Sequence, residues 1–398
     1  MAPKDSNNYY LNFIAGNPQK PGGFGDSGCA YTDGTYGWPT WVKPDGTTIY
    51  PPPLLNECYT HDSLVTAAAD CGTGNYCDRG LVSWAYYTPT RGIIWDAPEG
   101  IPEVCYQENN LNDIGKACGT VNGGQEWSSH VYLPDVNGYS DAPIFDDLYK
   151  CKLKQISWVV PDVAWSDHPQ DKWKTNLGNV YGASYVGDII DAVGGGMANS
   201  TCNGLGSGKY WTTEPTLVIV VWDDWGGWFD HVAPYIARQE NPNQGYTQCD
   251  PSSQWGCGYT SGFRVPLMVV SPYTGTKNAD GSYSGYVSGA CGASPLPPCP
   301  NKTFPYVHDF GSILAFTEYN FNLSQIYPDT NYYADYNAPD WGTERGNIPL
   351  SDFFPLSTAQ PRPFVSISTS KPFTYFQTYY QTTGASPTGP DDDDEADQ

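Results

Sequence analysis

The sequence predicts an α/β fold built on a mostly parallel sheet that helices cover on both faces. The chain has 398 residues, which is enough to bury a large core. Its apolar runs of strand length are continuous, as is typical of strands that are buried on both faces. Segments with helical spacing lie between these runs, and this alternation favours a parallel sheet.

The elements follow one another along the chain in a simple order. Four apolar runs predict strands, and they cover residues 81–87, 156–162, 216–222 and 265–273. Helical spacing predicts three helices, which cover residues 61–71, 185–196 and 308–321, and the second of these ends in glycines.

The domain organisation follows from where this pattern stops. No repeat or clear linker interrupts residues 1–360, so we expect one domain there. Residues 361–398 are rich in Ser, Thr, Tyr and Pro and then in acid, which predicts a C-terminal extension or terminal strand with a disordered acidic tail.

The chain is strongly acidic. Lys and Arg total 19 against 43 Asp and Glu, so the formal net charge is -24. Such a surface repels nucleic acid and anionic membranes, and an anionic substrate would need a local cation such as a bound metal. No apolar run is long enough to span a membrane, so we expect no transmembrane segment.

Cysteine usage favours an oxidising compartment. The chain has 12 cysteines without the paired CxxC spacing of zinc or redox sites, which predicts long loops bound by disulfides of undetermined connectivity. Sequons at Asn199, Asn301 and Asn322 predict a secreted glycoprotein. The residues after Met1 do not form a signal peptide, so we expect the targeting segment to lie upstream of this chain.

Two adjacent carboxylates, Asp223 and Asp224, follow the third predicted strand. Functional side chains gather at the carboxyl ends of strands in open α/β sheets. Neighbouring carboxylates repel each other unless a cation neutralises them, and oxygen ligands suit a divalent metal. The alternative is a solvent-facing turn, but the flanking apolar strand and the Trp/Gly-rich loop favour a metal site.

Two histidines also follow predicted strands. Asp167 and His168 come just after the second strand, so they are expected at the same edge of the sheet as Asp223. His231 could ligate a metal, donate a proton to a leaving group, or be a structural residue whose ring Asp230 holds.

The remaining candidates are weaker. His61 precedes a helix, where it contacts the site or helps to cap the helix, and structural roles are favoured for His130 and His308. Arg264 could bind an oxyanion through two parallel hydrogen bonds, or it could pair with a local acid. The sequence contains no GxSxG elbow, HExxH helix, P-loop or Rossmann glycine motif, which weakens four common enzyme classes.

Four long motifs, in this order, carry a resemblance to a known family. They are SWVVPDVAWSDHP (157–169), VIVVWDDWGGWFDHVAPY (218–235), SGFRVPLMVVSPY (261–273) and HDFGSILAFTEYNF (308–321). The chain resembles the phosphoesterase family that contains bacterial non-specific phospholipase C and secreted acid phosphatases. The resemblance implies an alkaline-phosphatase-like α/β fold.

The resemblance also implies how the site works. It implies hydrolysis of a phosphate ester by a Ser or Thr nucleophile beside a divalent metal, whose ligands map onto Asp223 and Asp224. Counting back from the IAG stretch that begins at Ile14 maps the nucleophile onto Ser6, although the surrounding PKDSNN departs from the family pattern. His168 and His231 would then donate protons to the phosphoryl oxygens or the leaving group.

Other residues and the substrate follow from the same resemblance. Asp167, Arg264 and His61 are candidates for contact with the substrate. Family members carry an upstream strand ending in Glu-Asn that completes the metal site, so we expect this chain to be a fragment rather than an impaired, metal-poor version. The expected substrate is a phosphomonoester, as for an acid phosphatase. The alternatives are phospholipase C-type cleavage at a phospholipid headgroup and a catalytically impaired secreted binding protein.

Overall fold

A computed structural model describes the chain in several stretches. The described residues are 41–42, 48–49, 82–90, 96, 98, 125–166, 178–195, 197, 208–222, 230, 264–285, 308, 310–323, 350, 353–354 and 361–387. The expected helix over residues 61–71 and the acidic tail lie outside them.

The described part contains strands β1 to β9 and helices α1 to α6. The strands are β1 Trp41–Val42, β2 Thr48–Ile49, β3 Trp84–Tyr87, β4 Val131–Tyr132, β5 Ile156–Val159, β6 Val218–Val221, β7 Leu267–Val270, β8 Thr276–Lys277 and β9 Tyr283–Ser284. The helices are α1 Gln125–His130, α2 Pro143–Lys150, α3 Gly178–Gly194, α4 Phe310–Phe321, α5 Phe373–Gln377 and α6 Tyr379–Thr383. A 3₁₀ turn at Val163–Trp165 follows β5, and a π-helical turn at Lys209–Thr213 precedes β6.

A three-stranded parallel sheet has the order β4-β3-β5. All four residues of β3, WAYY, are buried, as expected for a central strand with both faces covered. The parallel sheet that the sequence predicts is therefore confirmed for β3 and β5, whereas β4 is a strand that the sequence did not predict. β5 ends where Val160 donates its N–H to the Tyr87 carbonyl at 2.8 Å, because the following Pro161 has no N–H to continue the ladder.

The two later strands, β6 and β7, form at the predicted places but pair antiparallel, with Val218 opposite Val270. The expectation of a mostly parallel sheet does not hold for this pair. A continuous apolar run predicts a strand, but it carries no signal for the direction of pairing, and these two strands are half-buried rather than fully buried.

The two faces of the β6–β7 pair meet different neighbours. Ile219 and Val221 pack against a cluster that includes Ile313 of α4, whereas Val218 and Val270 pack against the main core. This alternation follows from the two-residue period of a strand. Each face of the pair therefore contacts a different cluster, although the strand residues are only half-buried and Met268 is exposed.

Helices α3 and α4 are confirmed, although α3 begins earlier than predicted, at Gly178. The end of α3 lies at the predicted glycines, where Gly195 donates its N–H to the Asp191 carbonyl at 2.7 Å. Asn322, one of the three sequon residues, is exposed and has φ 53° directly after α4. Asn adopts this left-handed conformation at helix ends more readily than most residues do.

The main core is aromatic and lies between the parallel sheet, α2, α3 and the C-terminal helices. Trp165 is central to it: its ring lies 5.7 Å from the Tyr185 ring and 5.5 Å from the Phe376 ring, between centroids. Cys151, which follows α2 in a left-handed conformation, is disulfide-bonded.

Residues 362–380 contact the rest of the molecule. Residues 361–371, here called the C-terminal strap, run extended along α3, and the Ile367 N–H donates to Asp191 Oδ1 at 2.7 Å. Helices α5 and α6 follow and bury Phe376, Tyr379 and Tyr380 in the main core. These helices stand where the sequence suggested a strand or extension.

Candidate active site

The carboxyl ends of the parallel strands lie at one edge of the sheet. Directly after β3, Thr88 donates its N–H to the Tyr132 carbonyl of β4 at 3.2 Å. On the other side of β3, the Val160 N–H after β5 donates to the carbonyl of Tyr87, the last residue of β3. The segments that leave β3, β4 and β5 therefore begin close together, at the edge where α/β folds usually hold their ligands.

A tight turn leaves β5 at this edge. Asp162 is 1% exposed, and its Oδ1 accepts the Ala164 N–H at 2.8 Å. The Trp165 N–H donates to the Asp162 carbonyl at 2.9 Å, and the Ser166 hydroxyl donates to the Val163 carbonyl at 3.3 Å. Asp162 thus acts as the N-cap of the 3₁₀ turn, a role for which Asp is favoured. Ser166 is the residue immediately before Asp167 and His168.

The other oxygen of Asp162 binds a residue from the C-terminal helices. Tyr380 donates its hydroxyl to Asp162 Oδ2 at 2.8 Å, and both side chains are buried. Burial and the neighbouring Asp162 carboxylate raise the pKa of Tyr380 well above its ordinary value. The phenol therefore remains a proton donor throughout the physiological range.

An ion pair lies between Asp230, in the segment after β6, and the start of β7. Arg264 donates from Nε to Asp230 Oδ2 at 2.8 Å and from Nη2 to Oδ1 at 2.7 Å, and its backbone N–H donates to Oδ2 at 3.0 Å. This pairing raises the pKa of Arg264, so the guanidinium is charged at every relevant pH. The Asp230 side chain is 9% exposed and that of Arg264 is 66% exposed. Asp230 therefore fixes one edge of a guanidinium that otherwise faces solvent.

A model of the Phosphoesterase family matches residues 81–324, more than half of the chain. The chain belongs to the phosphoesterase family. The matched range includes β3 to β7, α3 and α4, and it contains the turn after β5 and the Arg264–Asp230 pair.

Curated relatives of this phosphoesterase are bacterial proteins named phospholipase C. Phospholipase C B of Mycobacterium tuberculosis (strain CDC 1551 / Oshkosh) is 33% identical over 133 residues, which is 32% of this chain and 22% of that protein. Non-hemolytic phospholipase C of Burkholderia pseudomallei is 31% identical over 136 residues, 32% of this chain and 17% of the relative. The protein of that name from Pseudomonas aeruginosa is 29% identical over 140 residues, 32% and 18% of the two chains. The similarity spans about a fifth of the length of these relatives.

Most residues that the sequence nominates lie outside the described part of this phosphoesterase. They are Ser6, His61, Asp167, His168, Asp223, Asp224 and His231. The structure instead describes the strands that precede them: β5 and its turn end at Ser166, and β6 ends just before Trp222. Their roles stay predictions.

Three of the weaker candidates are described. Arg264 pairs with a local acid, one of the two possibilities that its position left open. His130 stacks on Trp84 with 4.3 Å between ring centroids, and His308 lies 5.1 Å from the Phe353 ring. Both histidines pack on aromatic rings, in agreement with structural roles.

Sequence reasoning did not single out Asp162 or Tyr380. The Asp162 cap had a local signal, because an Asp between a strand and a short apolar segment is a common N-cap. No local sequence signal linked Tyr380 to the site, because it lies 218 residues after Asp162 in the chain.

The described residues contain no group of three or more His, Cys, Asp and Glu side chains that could hold a metal ion. A metal site in this phosphoesterase would therefore depend on ligands from the rest of the chain, such as Asp223 and Asp224.

None of the described helices has the length and apolar character needed to cross a membrane.

Proposed function

We propose that this protein hydrolyses phosphate esters. The observation that carries the proposal is the family match over residues 81–324, because it includes six of the eight nominated site residues. The six are Asp167, His168, Asp223, Asp224, His231 and Arg264. Ser6 and His61 lie before the matched range.

The proposed chemistry is displacement at phosphorus in two steps. The Ser6 hydroxyl loses its proton to solvent and its oxygen forms a bond to phosphorus while the bond to the leaving alcohol breaks. His168 or His231 gives that alcohol its proton and regains one from solvent. Water then releases phosphate and restores the Ser6 hydroxyl. A divalent cation held by Asp223 and Asp224 would lower the pKa of the hydroxyl and neutralise the phosphate.

Arg264 supports the proposal as a binding group for the phosphate. Its Nε and Nη2 are occupied by Asp230, while its Nη1 has no hydrogen-bond partner among the described residues. Because Asp230 holds the guanidinium plane, little side-chain freedom remains to be lost when Nη1 binds an oxyanion. A charged donor is valuable in a chain of net charge -24, where the overall field repels anions.

Two classes of phosphate ester are candidates for the substrate. We propose a phosphomonoester first, as for the acid phosphatases that the sequence resembles. The names of the curated relatives, all phospholipase C, favour instead a phosphodiester at a phospholipid headgroup.

We also propose that the protein is secreted. The disulfide at Cys151 and the exposed sequon residue Asn322 both suit an exported glycoprotein.

The experiment compares three substrates on the full-length protein: an aryl phosphate, a bis-aryl phosphate and phosphatidylcholine vesicles. Each is tested with added divalent metals and with chelator. We expect turnover that chelator abolishes and that one divalent metal restores. The relative rates on the three substrates assign the ester class.

Matched variants test the ligand role of the carboxylates. Asp223→Asn is expected to lower kcat by about 100-fold or more at a fixed metal concentration. The control is Asp135→Asn, which removes the same charge from an exposed position with φ 56° that Asn tolerates well. Activity that is indifferent to Asp223→Asn would refute the metal role. An intact protein that turns over none of the esters with any metal would favour a binding protein on this fold.

A further inference from the structure

Tyr380 is held at both ends by buried carboxylates from distant parts of the chain. Its backbone N–H donates to Asp141 Oδ2 at 2.6 Å, and its hydroxyl donates to Asp162 Oδ2 at 2.8 Å. Each of these carboxylates is 1% exposed. Hydrogen bonds to an ionised, buried acceptor are among the stronger ones in proteins. They fix helix α6 against the segment that precedes α2 and against the turn after β5.

Asp162 transmits this contact to the segment that follows β5. One of its oxygens accepts the Tyr380 hydroxyl, and the other caps the 3₁₀ turn through the Ala164 N–H. The position of the carboxylate therefore sets both the start of the turn and its distance from α6. The turn ends at Trp165, two residues before Asp167.

Aromatic packing between Trp165 and the C-terminal helices supports the same link. The Trp165 ring lies 4.9 Å from the Tyr379 ring at 83°, and 5.7 Å from the Tyr380 ring, between centroids. The contact with Tyr379 is edge-to-face, whereas the Tyr380 ring is tilted by 38° to that of Trp165, and together they restrain the orientation of the Trp165 ring. Two successive residues of α6 thus touch the turn, but only the Tyr380 hydroxyl forms a hydrogen bond with it.

We propose that Tyr380 is a positioning residue that fixes the segment after β5, and with it Asp167 and His168, from the C-terminal helices. The effect on catalysis rests on the proposed function, whereas the effect on the segment does not. On this view α5 and α6 are part of the active-site support rather than an appendage.

Tyr379 provides a matched control within the same helix. Its side chain is also buried against Trp165, but its hydroxyl has no hydrogen-bond partner among the described residues. Tyr380→Phe and Tyr379→Phe each remove one hydroxyl and keep the ring. Only the first removes the hydrogen bond from the Tyr380 hydroxyl to Asp162 Oδ2.

The first measurement is amide hydrogen exchange in a peptide that covers residues 163–168. We expect Tyr380→Phe to raise the exchange rate of this peptide at least tenfold, with Tyr379→Phe within twofold of the unmodified protein. Should Tyr380→Phe fail to fold, Asp162→Ser serves instead. Serine still caps the Ala164 N–H, is too short to reach Tyr380, and leaves no buried charge unpaired, so the same faster exchange is expected.

The second measurement is steady-state hydrolysis of a phosphate ester by the same proteins. We expect Tyr380→Phe to lower kcat about tenfold or more with KM within twofold, because substrate binding is kept while the reacting groups are displaced. Tyr379→Phe should alter neither constant by more than twofold. Because a smaller folded fraction would also lower the apparent kcat at unchanged KM, kcat is expressed per folded enzyme, with the folded fraction measured by tryptophan fluorescence. A merely structural role would leave this corrected kcat unchanged.

The outcomes separate this inference from the proposed function. Exchange in residues 163–168 that is as slow in Tyr380→Phe or Asp162→Ser as in Tyr379→Phe overturns the inference, whatever the activity. Faster exchange with unchanged kcat in an active enzyme also overturns it. If the unmodified protein hydrolyses no phosphate ester, the proposed function fails, and the exchange result alone decides the positioning of the segment.

Discussion

The contact between α3 and the C-terminal strap contains a carboxylate whose charge opposes folding. Asp188 is 8% exposed, and its Oδ1 accepts the Thr369 hydroxyl at 2.7 Å. Its Oδ2 has no hydrogen-bond partner in the described structure, and Asp191 places a like charge nearby. Burial, with a smaller contribution from Asp191, raises the pKa of Asp188 from 3.8 to about 6. Asp188→Asn is therefore predicted to stabilise the protein at neutral pH.

The sign and size of the effect follow from linkage. The folded state binds the Asp188 proton more tightly than the unfolded state does, so this stability is complete below pH 3.8 and is lost as the pH rises through about 6. At 1.36 kcal/mol for each pKa unit the loss is at most about 3 kcal/mol. Solvent at the edge of the carboxylate screens part of the charge, so we expect Asp188→Asn to gain about 1–2 kcal/mol at pH 7.5.

The assay is urea unfolding at pH 4.0 and pH 7.5, followed by tryptophan fluorescence. Asp188→Asn should match the unmodified protein within about 0.5 kcal/mol at pH 4.0 and exceed it at pH 7.5. Thr369→Val removes the hydroxyl donor at nearly constant volume, so it should cost more at pH 7.5 than at pH 4.0. A gain from Asp188→Asn that is equal at both pH values, or a loss at pH 7.5, would refute the reasoning.

Two further predictions concern other contacts of the described structure. A Cβ on Gly194 would overlap the Phe364 ring of the strap, so Gly194→Ala should cost about 2–3 kcal/mol in urea unfolding. In a Phe364→Ala background the same change should cost less than about 1 kcal/mol, and equal costs in both backgrounds would contradict the packing argument. Arg264→Lys keeps the charge but has one nitrogen, so it cannot hold Asp230 in the planar paired geometry and offer a further nitrogen to phosphate. KM for a phosphate ester should therefore rise about tenfold with kcat within threefold. An unchanged KM would remove Arg264 from the binding site.

Much of the central fold could be predicted because its strands are short apolar runs in a polar sequence. The parallel pairing of β3 with β5 followed from their burial, and the end of α3 followed from its glycines. The direction of β6 against β7 could not be predicted, because pairing direction is set by the path of the chain rather than by apolar composition.

The C-terminal helices had a local signal that composition obscured. Phe376, Tyr379 and Tyr380 have the i, i+3, i+4 spacing of one helical face. Their surroundings are rich in Ser, Thr and Pro, which favoured an extension. What no local pattern could supply was the partner of each side chain, since Asp141 lies 239 residues from Tyr380.

The candidate site shows the same division between local and distant information. The position of Arg264 at the start of a strand already suggested that it could pair with a local acid. In the structure it pairs with Asp230 through two side-chain hydrogen bonds. The identity of that acid was not available, because the two residues lie 34 positions apart on separate segments. Strand ends can be read from sequence, whereas the contacts that hold their side chains depend on the whole fold.

The scarcity of cations in this chain accounts for how its buried carboxylates are held. With 19 Lys and Arg for 43 acids, most carboxylates cannot have a cationic partner, whereas 31 tyrosines are available. Asp147 accepts the Tyr87 hydroxyl at 2.7 Å and the Tyr139 hydroxyl at 3.1 Å, and Asp162 accepts that of Tyr380. Burial and the nearby carboxylates raise the pKa of each of these phenols, so the donors persist wherever the carboxylates are ionised. Neutral phenols can thus hold buried carboxylates in this chain where Lys and Arg are too few to do so.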